Sequence, residues 1–388
     1  MRFLGLLLST IIALTAALDI QDGQTGVLMS IPPAPTETGL KIPDEAHPFK
    51  APGPDDQRGP CPAMNTLANH GLNMLSGISS FEEIVTGVME VRDLTFARSE
   101  NMNCYRRSTF NFDLNLAVIM TANNMLARGN VFTNKVSIGG VSPLVPPLPG
   151  QIDGPETGGI AKYGRIEGDA SMTRADAFLG DNRNFQDILF DLALLQLGKF
   201  GDDGPDGNST VFNLNTLVAI KKMNIAMDQA ANPQFNLNQA RLNAVYAGGA
   251  FIFSVFANGT TKQATLPIVG SFFRNQTFPD NWFRSATPVT PAVIGAVSGQ
   301  IGAAVGVVAG RNNEGVYVND PPPPVPWNSS AACSTYYSQN SQLPATLVTN
   351  STGVLRQNVD LLFDFLFKAV SANPGCTQPI APFGPAGV

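Results

Sequence analysis

Histidine is almost missing from this chain. Only His47 and His70 stand among its 388 residues, which argues against a multi-histidine metal site and against most Ser–His–Asp hydrolase designs. Basic charge is short as well. The 24 Lys and Arg face 30 Asp and Glu, a net charge of −6, so no basic surplus exists to meet phosphates, which argues against a nucleic-acid partner. Charged residues are only 14 % of the chain, low for a cytosolic protein, while an apolar share of 44 % suits a globular chain with a sizeable core. Cysteine is limited to Cys61, Cys104, Cys333 and Cys376. The count alone favours two disulfides, one of them using Cys61; if Cys61 is a ligand instead, one disulfide and one leftover thiol remain. A comfortable membrane span is also lacking. Thr287 to Gly310 carries no charge, but its glycines and prolines make it weakly hydrophobic, so a buried or loop segment is expected there.

What is present at the N-terminus reads as a secretory signal over residues 1–17: one basic residue, a short apolar stretch, then Ala16-Ala17 for cleavage. Asn208, Asn258, Asn275, Asn328 and Asn350 each open a glycosylation sequon, and five sequons agreeing with a signal segment predict a secreted, extracellular glycoprotein with no membrane association. Residues 18–50 are dense in proline and predict an extended arm. Residues 51–388 then carry helical apolar spacing over Ala63–Leu75, Ile84–Val91, Leu114–Leu126, Asn184–Leu197, Thr210–Ala231 and Asn238–Tyr246. Leu355, Val359, Leu362, Phe363 and Leu366 form one apolar face that Pro374-Gly375 ends. Val141–Gly159 is rich in proline and glycine and predicts a long loop, so the class is mainly α with long irregular connections.

Cys61 has the most informative setting. It lies between Pro60 and Pro62, ahead of the helical stretch Ala63-Met-Asn-Thr-Leu-Ala-Asn-His70. Proline suits the first position of a helix, where its missing N–H costs nothing. The thiol then sits beside unpaired N–H groups and the positive end of the helix dipole, which lowers its pKa and favours the ligating thiolate. A thiolate axial ligand pushes electron density onto haem iron and favours O–O cleavage, so this residue points to oxidative chemistry.

From about His47 to its end the chain resembles the fungal haem-thiolate peroxidases, the unspecific (aromatic) peroxygenase and chloroperoxidase family, in its long form. The resemblance rests on Ala51-Pro-Gly-Pro, on Arg58-Gly-Pro-Cys-Pro-Ala-Met-Asn65 and on Glu167-Gly-Asp-Ala-Ser-Met-Thr-Arg174 continuing to Asn182. Weaker landmarks follow in order: Asn111-Phe-Asp, Asn232-Pro-Gln-Phe, Pro279-Asp-Asn-Trp-Phe-Arg and Gly375-Cys-Thr. It implies a single chloroperoxidase-like helical domain with long irregular loops around a haem pocket. It places the proximal iron ligand, on haem b, at Cys61. It implies Mg²⁺ held by the side chains of Glu167 and Ser171 and the carbonyl of Gly168, hard oxygen donors of the kind magnesium takes. Phe112, Ile166 and Phe251 would line the pocket, Cys333 would pair with Cys376, and Cys104 would be left buried or bridging two copies of the chain. The substrates implied are hydrogen peroxide and a small apolar organic compound, aromatic or aliphatic.

One departure stands out. The family pattern puts a distal arginine on Arg241 and a carboxylate seven residues later, where this chain has Gly248. A general acid–base contributes a factor of about 100 to 10,000, so its loss predicts weak or altered peroxide chemistry unless another acid serves. Glu82, Glu83, Glu90, Asp93 and Glu100, in a stretch longer than usual, are candidates, although a solvated helix face accounts for most such acids. His70 is expected to pack below the haem rather than to bind metal. A non-enzymatic secreted glycoprotein is the remote alternative.

Overall fold

The computed structural model describes residues 25–35, 39–41, 47–72, 75–89, 109–148, 159–161, 170–341, 343, 347, 351–371 and 376. Among these residues, six of the ten helices begin where a side chain takes up an unpaired N–H group of the first turn. Helix α1 (Pro62–Asn69) starts on Pro62. Residues Ile78–Ser79 form strand β1, and α2 (Phe81–Val88) follows behind a capping box in which Ser80 and Glu83 exchange hydrogen bonds. Helix α3 (Leu114–Arg128) is capped by Asp113, whose carboxylate accepts from the Leu116 N–H. Strand β2 (Val136–Ser137) returns antiparallel to β1, with Ile78 opposite Ser137. The expected helix over Ala63–Leu75 thus ends early: Gly71 follows at φ 66, a left-handed conformation that stops a helix.

Helix α4 (Asp187–Phe200) leads into strands β3 (Asp202–Gly204) and β4 (Gly207–Phe212), and α5 (Leu214–Ala231) comes next. This corrects the helical reading that began at Thr210. Thr210, Val211 and Phe212 belong to the strand, and Asn213 caps the helix by accepting from the Thr216 N–H. After β5 (Asn236–Leu237), α6 (Gln239–Phe251) runs into a π-helical turn, Ile252–Phe256. Strand β6 (Ala264–Thr265) pairs with β4 in the sheet β3-β4-β6, and α7 (Leu266–Gly270) again closes in a π-helical turn, Ser271–Asn275.

Residues Pro291–Val305 form helix α8, which corrects the expected buried or loop segment between Thr287 and Gly310. Thr290 caps its start, Pro291 opens its first turn, and Gly306 at φ 74 ends it. Ile294, Ile301 and Val305 point into the core; most of the other side chains of this helix are exposed or half-exposed. Strands β7 (Gly310–Asn313) and β8 (Val316–Asn319) complete the sheet β5-β7-β8. Helices α9 (Ala331–Asn340) and α10 (Gly353–Val370) finish the domain, and Cys333 of α9 is disulfide-bonded to Cys376. All five members of the predicted apolar face on α10 are buried. Helix α6 packs against α8 and α9, α3 against α2 and α10, and α5 against α4 and α8, all around one apolar core. Among the described residues no helix is long and apolar enough to cross a membrane.

The described residues of the N-terminal arm form neither helix nor strand and lie along this domain. Val27 N–H donates to the Phe132 carbonyl, Met29 N–H to Asn358 Oδ1, and Gly39 N–H to the Ala286 carbonyl. The signal segment, Cys104, Ile166, Glu167, Gly168 and Asn350 lie outside the described residues.

Candidate active site

Cys61 is the N-cap of α1, half-buried, with extended backbone (φ −83, ψ 109) and no side-chain cap bond. No acidic residue stands in the first turn, so nothing there offsets the positive end of the helix dipole beside the sulfur. The thiol faces a cavity of about 310 Å³ whose wall is mostly apolar. Helix periodicity decides who shares that wall. From α3 it takes Met120, Thr121, Asn123, Asn124, Ala127 and Arg128; from α6 it takes Ala240, Asn243, Ala244, Val245, Ala247, Gly248 and Phe251. The π-helical turn after α6 adds Ile252, Val255 and Phe256.

Cys61, Phe112, Phe251 and Ser171 therefore meet at one cavity. Phe112 and Phe251 stack with ring centroids 6.1 Å apart and planes 15° from parallel, an apolar slab facing the cavity. Gly248 also faces it, and a Cβ built there meets nothing within 4 Å. Arg241 does not line the cavity; its guanidinium Nη1 donates to the carbonyl of Asn236, on the strand before the helix.

Of the acids considered as substitutes, two have structural partners. Glu82 accepts from Ser30 N–H (2.8 Å) and Asn134 Nδ2 (2.7 Å), and Glu83 closes the cap of α2. Glu90, Asp93 and Glu100 lie outside the described residues. No carboxylate is among the described residues of the wall, whose two cations are the buried Arg128 and Lys221.

Ser171 is placed by α5. Asn224 Nδ2 donates to the Ser171 carbonyl (2.8 Å), Lys221 Nζ to the Ala170 carbonyl (3.3 Å), and Asp228 accepts from the Ala170 N–H (2.6 Å). Ala170 itself sits at φ 58, a left-handed conformation costly for alanine, so these bonds hold a bend that the chain would otherwise leave. Burial pushes the Asp228 carboxyl up to about 7; the Ala170 N–H opposes that, Asp176 adds to it and Lys221 reduces it. The sequence reading passed over this trio. Its signal was the spacing Lys221, Asn224, Asp228, which puts three polar residues on one face of the helix. Among the described residues no three His, Cys, Asp or Glu side chains gather to hold a metal.

His70 packs between the rings of Phe49 and Phe278. Its Nδ1 is 2.7 Å from the His47 carbonyl and its Nε2 2.9 Å from Thr277 Oγ1, a pairing that fills both ring nitrogens. Burial holds its pKa below the usual imidazole value, partly offset by the His47 carbonyl.

Comparison with known proteins joins this geometry to a family. The sequence model of "Peroxidase, family 2" matches residues 47–287. An aromatic peroxygenase of Cyclocybe aegerita is 31 % identical over 361 residues, covering 91 % of this chain and 87 % of that protein. An aromatic peroxygenase of Coprinellus radians is 30 % identical over 260 residues, 65 % of this chain and 88 % of the relative. An aromatic peroxidase of Fusarium equiseti is 26 % identical over 256 residues, 59 % of this chain and 52 % of the other. With the match running from the arm through the cysteine helix and the cavity helices, the chain belongs to the fungal haem-thiolate peroxidase family and is an oxidoreductase of the peroxygenase/peroxidase kind.

Proposed function

We propose that the protein is a secreted haem-thiolate peroxygenase or peroxidase that uses hydrogen peroxide to oxygenate or oxidise small apolar compounds, with haem b bound through Cys61. The observation that carries this reading is the Cys61 thiol at a helix N-terminus in the wall of an apolar cavity. The residues present suit the cofactor: a soft thiolate donor, a mostly apolar enclosure, and two buried cations, Arg128 and Lys221, that would be charge partners for its carboxylates. Bound there, haem supplies the oxidative chemistry, and the thiolate donates electron density to its iron.

The chain's own residues do the rest. The unpaired N–H groups of α1 hold Cys61 as thiolate. Phe112 and Phe251 bind an apolar substrate by burying its surface and keep water from it. Mg²⁺ is proposed on Glu167, the Gly168 carbonyl and Ser171, of which Ser171 lies on the cavity wall. Secretion is proposed from the signal segment and the sequons; no nucleic acid and no membrane enters this reading, and Cys104 is the residue through which two copies would join.

A second reading is favoured by Gly248. With no acid at that position and Arg241 bonded to Asn236, proton movement between the peroxide oxygens lacks its usual carrier, which points to weak or altered peroxide chemistry in the same fold. One purified sample separates the two: a carbonyl-ferrous spectrum followed by peroxide turnover. A thiolate-type Soret shift with brisk turnover supports the first reading, and the same shift with negligible turnover supports the second. Absence of the shift overturns the assignment of Cys61.

A further inference from the structure

We propose that Asn65 is a positioning residue for Cys61: its carboxamide grips the backbone two residues before the cysteine and so fixes the direction of the thiolate. The proposal rests on the reading of Cys61 as haem ligand.

The segment Gly59-Pro60-Cys61-Pro62 has an unusual shortage of donors. Its two prolines carry no N–H, so only Gly59 and Cys61 offer amides with which the chain entering α1 is tied down. Asn65, fully buried, takes both polar groups of Gly59 at once. Its Oδ1 accepts from the Gly59 N–H at 2.8 Å, and its Nδ2 donates to the Gly59 carbonyl at 2.7 Å. The two bonds fold the incoming chain back against the helix that Cys61 caps.

Gly59 is confined from its other side too. A Cβ there would lie 1.8 Å from the carbonyl oxygen of Ile138, so only glycine fits between that carbonyl and the Asn65 amide. The residue before it is held separately. Asn69, one turn beyond Asn65, accepts from Arg58 Nε at 2.7 Å, and Arg183 Nε donates to the Arg58 carbonyl at 2.7 Å. With Gly59 pinned and φ of Pro60 fixed by its ring, little freedom remains in the path from Gly59 to the Cys61 Cβ.

Asparagine is the residue this geometry asks for, one planar group with an acceptor and a donor side by side. An aspartate in its place would present two acceptors, leaving the Gly59 carbonyl facing a carboxylate and adding negative charge near the thiolate. A leucine keeps the volume and loses both bonds. Once the segment loosens, the sulfur can turn from the helix N-terminus, and without those N–H groups it protonates more readily.

The test uses the haem-loaded, full-length protein and reads the carbonyl-ferrous Soret band over time, the ferric/ferrous midpoint potential and Tm. In Asn65→Leu the thiolate-type band should convert to the thiol-type band roughly tenfold faster than in wild type, the order expected when a net hydrogen bond is lost. Its midpoint potential should rise. Asn65→Asp keeps the bond to the Gly59 N–H and should fall between, which preserves the test if the leucine variant does not fold. Asn69→Leu releases Arg58 Nε and the Gln276 carbonyl but leaves both Asn65–Gly59 bonds in place; it should lower Tm with the band and potential at wild-type values. Asn65 variants with lowered Tm but an unchanged band and potential overturn the proposal, as does an Asn69→Leu protein that shifts them equally. A wild-type protein with no thiolate-type band overturns the Cys61 reading itself, and this proposal with it.

Discussion

Gly248 and Arg241 stand about two turns apart on α6 and serve different surroundings: Gly248 opens on the cavity, whereas the Arg241 guanidinium is bonded back to the Asn236 carbonyl. The position where the family pattern places an acid is therefore vacant in space as well as in sequence. A Cβ added there meets no neighbour within 4 Å.

Gly248→Glu should raise peroxide turnover by a factor of about 100, the lower end of what a positioned acid–base contributes. Stability should not suffer, because a mid-helix glycine is roughly 0.5–1 kcal/mol worse than an ordinary helix former. Steady-state peroxide consumption at matched haem content measures the gain. Unchanged turnover would mean that proton transfer is not limiting or that an acid outside the described residues carries it.

Asn358 tests the arm. Its Oδ1 accepts from Met29 N–H, and its Nδ2 donates to the carbonyls of Val27 and Val131, each at 2.8 Å, so one buried side chain joins α10, the arm and the turn after α3. Asn358→Leu leaves those groups without a partner and should cost about 2–4 kcal/mol, since each buried unmet group costs about 1–3 and the three are coupled. Denaturant unfolding gives the loss, and limited proteolysis should show faster cleavage among residues 25–35. A variant with wild-type resistance would show that Asn358 is not what holds the arm to the domain.

The parts legible in the sequence were those where one local signal had no competitor. The apolar spacing of Leu355, Val359, Leu362, Phe363 and Leu366 gave α10, and the proline-flanked cysteine gave the start of α1. Reading failed where two signals met. Thr210-Val-Phe212 is a β-branched and aromatic run joined to a helix, and the cap that separates them is the single residue Asn213. In α8 the glycines argued for a loop, yet Thr290, Pro291 and Gly306 mark both helix ends, and packing of Ile294, Ile301 and Val305 outweighs poor propensity. At the site, the family pattern put its distal arginine on Arg241; that the guanidinium bonds to the Asn236 carbonyl was not legible, because no sequence pattern states which way a long side chain turns. The Ala170–Ser171 bend was hidden for a related reason, because its holders lie some fifty residues away on α5.

His70 predicts acid sensitivity. Its folded pKa lies below that of the unfolded chain, about 6.5. As pH falls through that value the unfolded chain binds a proton that the folded ring resists, so stability present at neutral pH is lost on acidification. His70→Asn should lower the denaturant midpoint at pH 7, through the loss of the Thr277 or His47 contact, yet flatten the decline between roughly pH 7 and 5. An equally steep decline in the variant would assign acid sensitivity to other groups.

Asp228 acts in the opposite sense. Its folded pKa of about 7 lies above the ordinary value of 3.8, chiefly because burial penalises the charged form. Between those values the folded protein keeps a proton that the unfolded chain has released, so the contribution is full below pH 3.8 and declines as pH rises through 7. Integrated over that window the loss is on the order of 4 kcal/mol. Asp228→Asn keeps an oxygen to accept from the Ala170 N–H and removes the charge. It should therefore raise Tm at pH 8 towards its pH 5 value. The same change should slow haem loss at pH 8, because the bend at Ala170 holds Ser171 in the cavity wall. A variant whose Tm still falls between pH 5 and 8 as steeply as wild type would show that the carboxyl is charged at little cost, and that the bend is held by Lys221 and Asn224 instead.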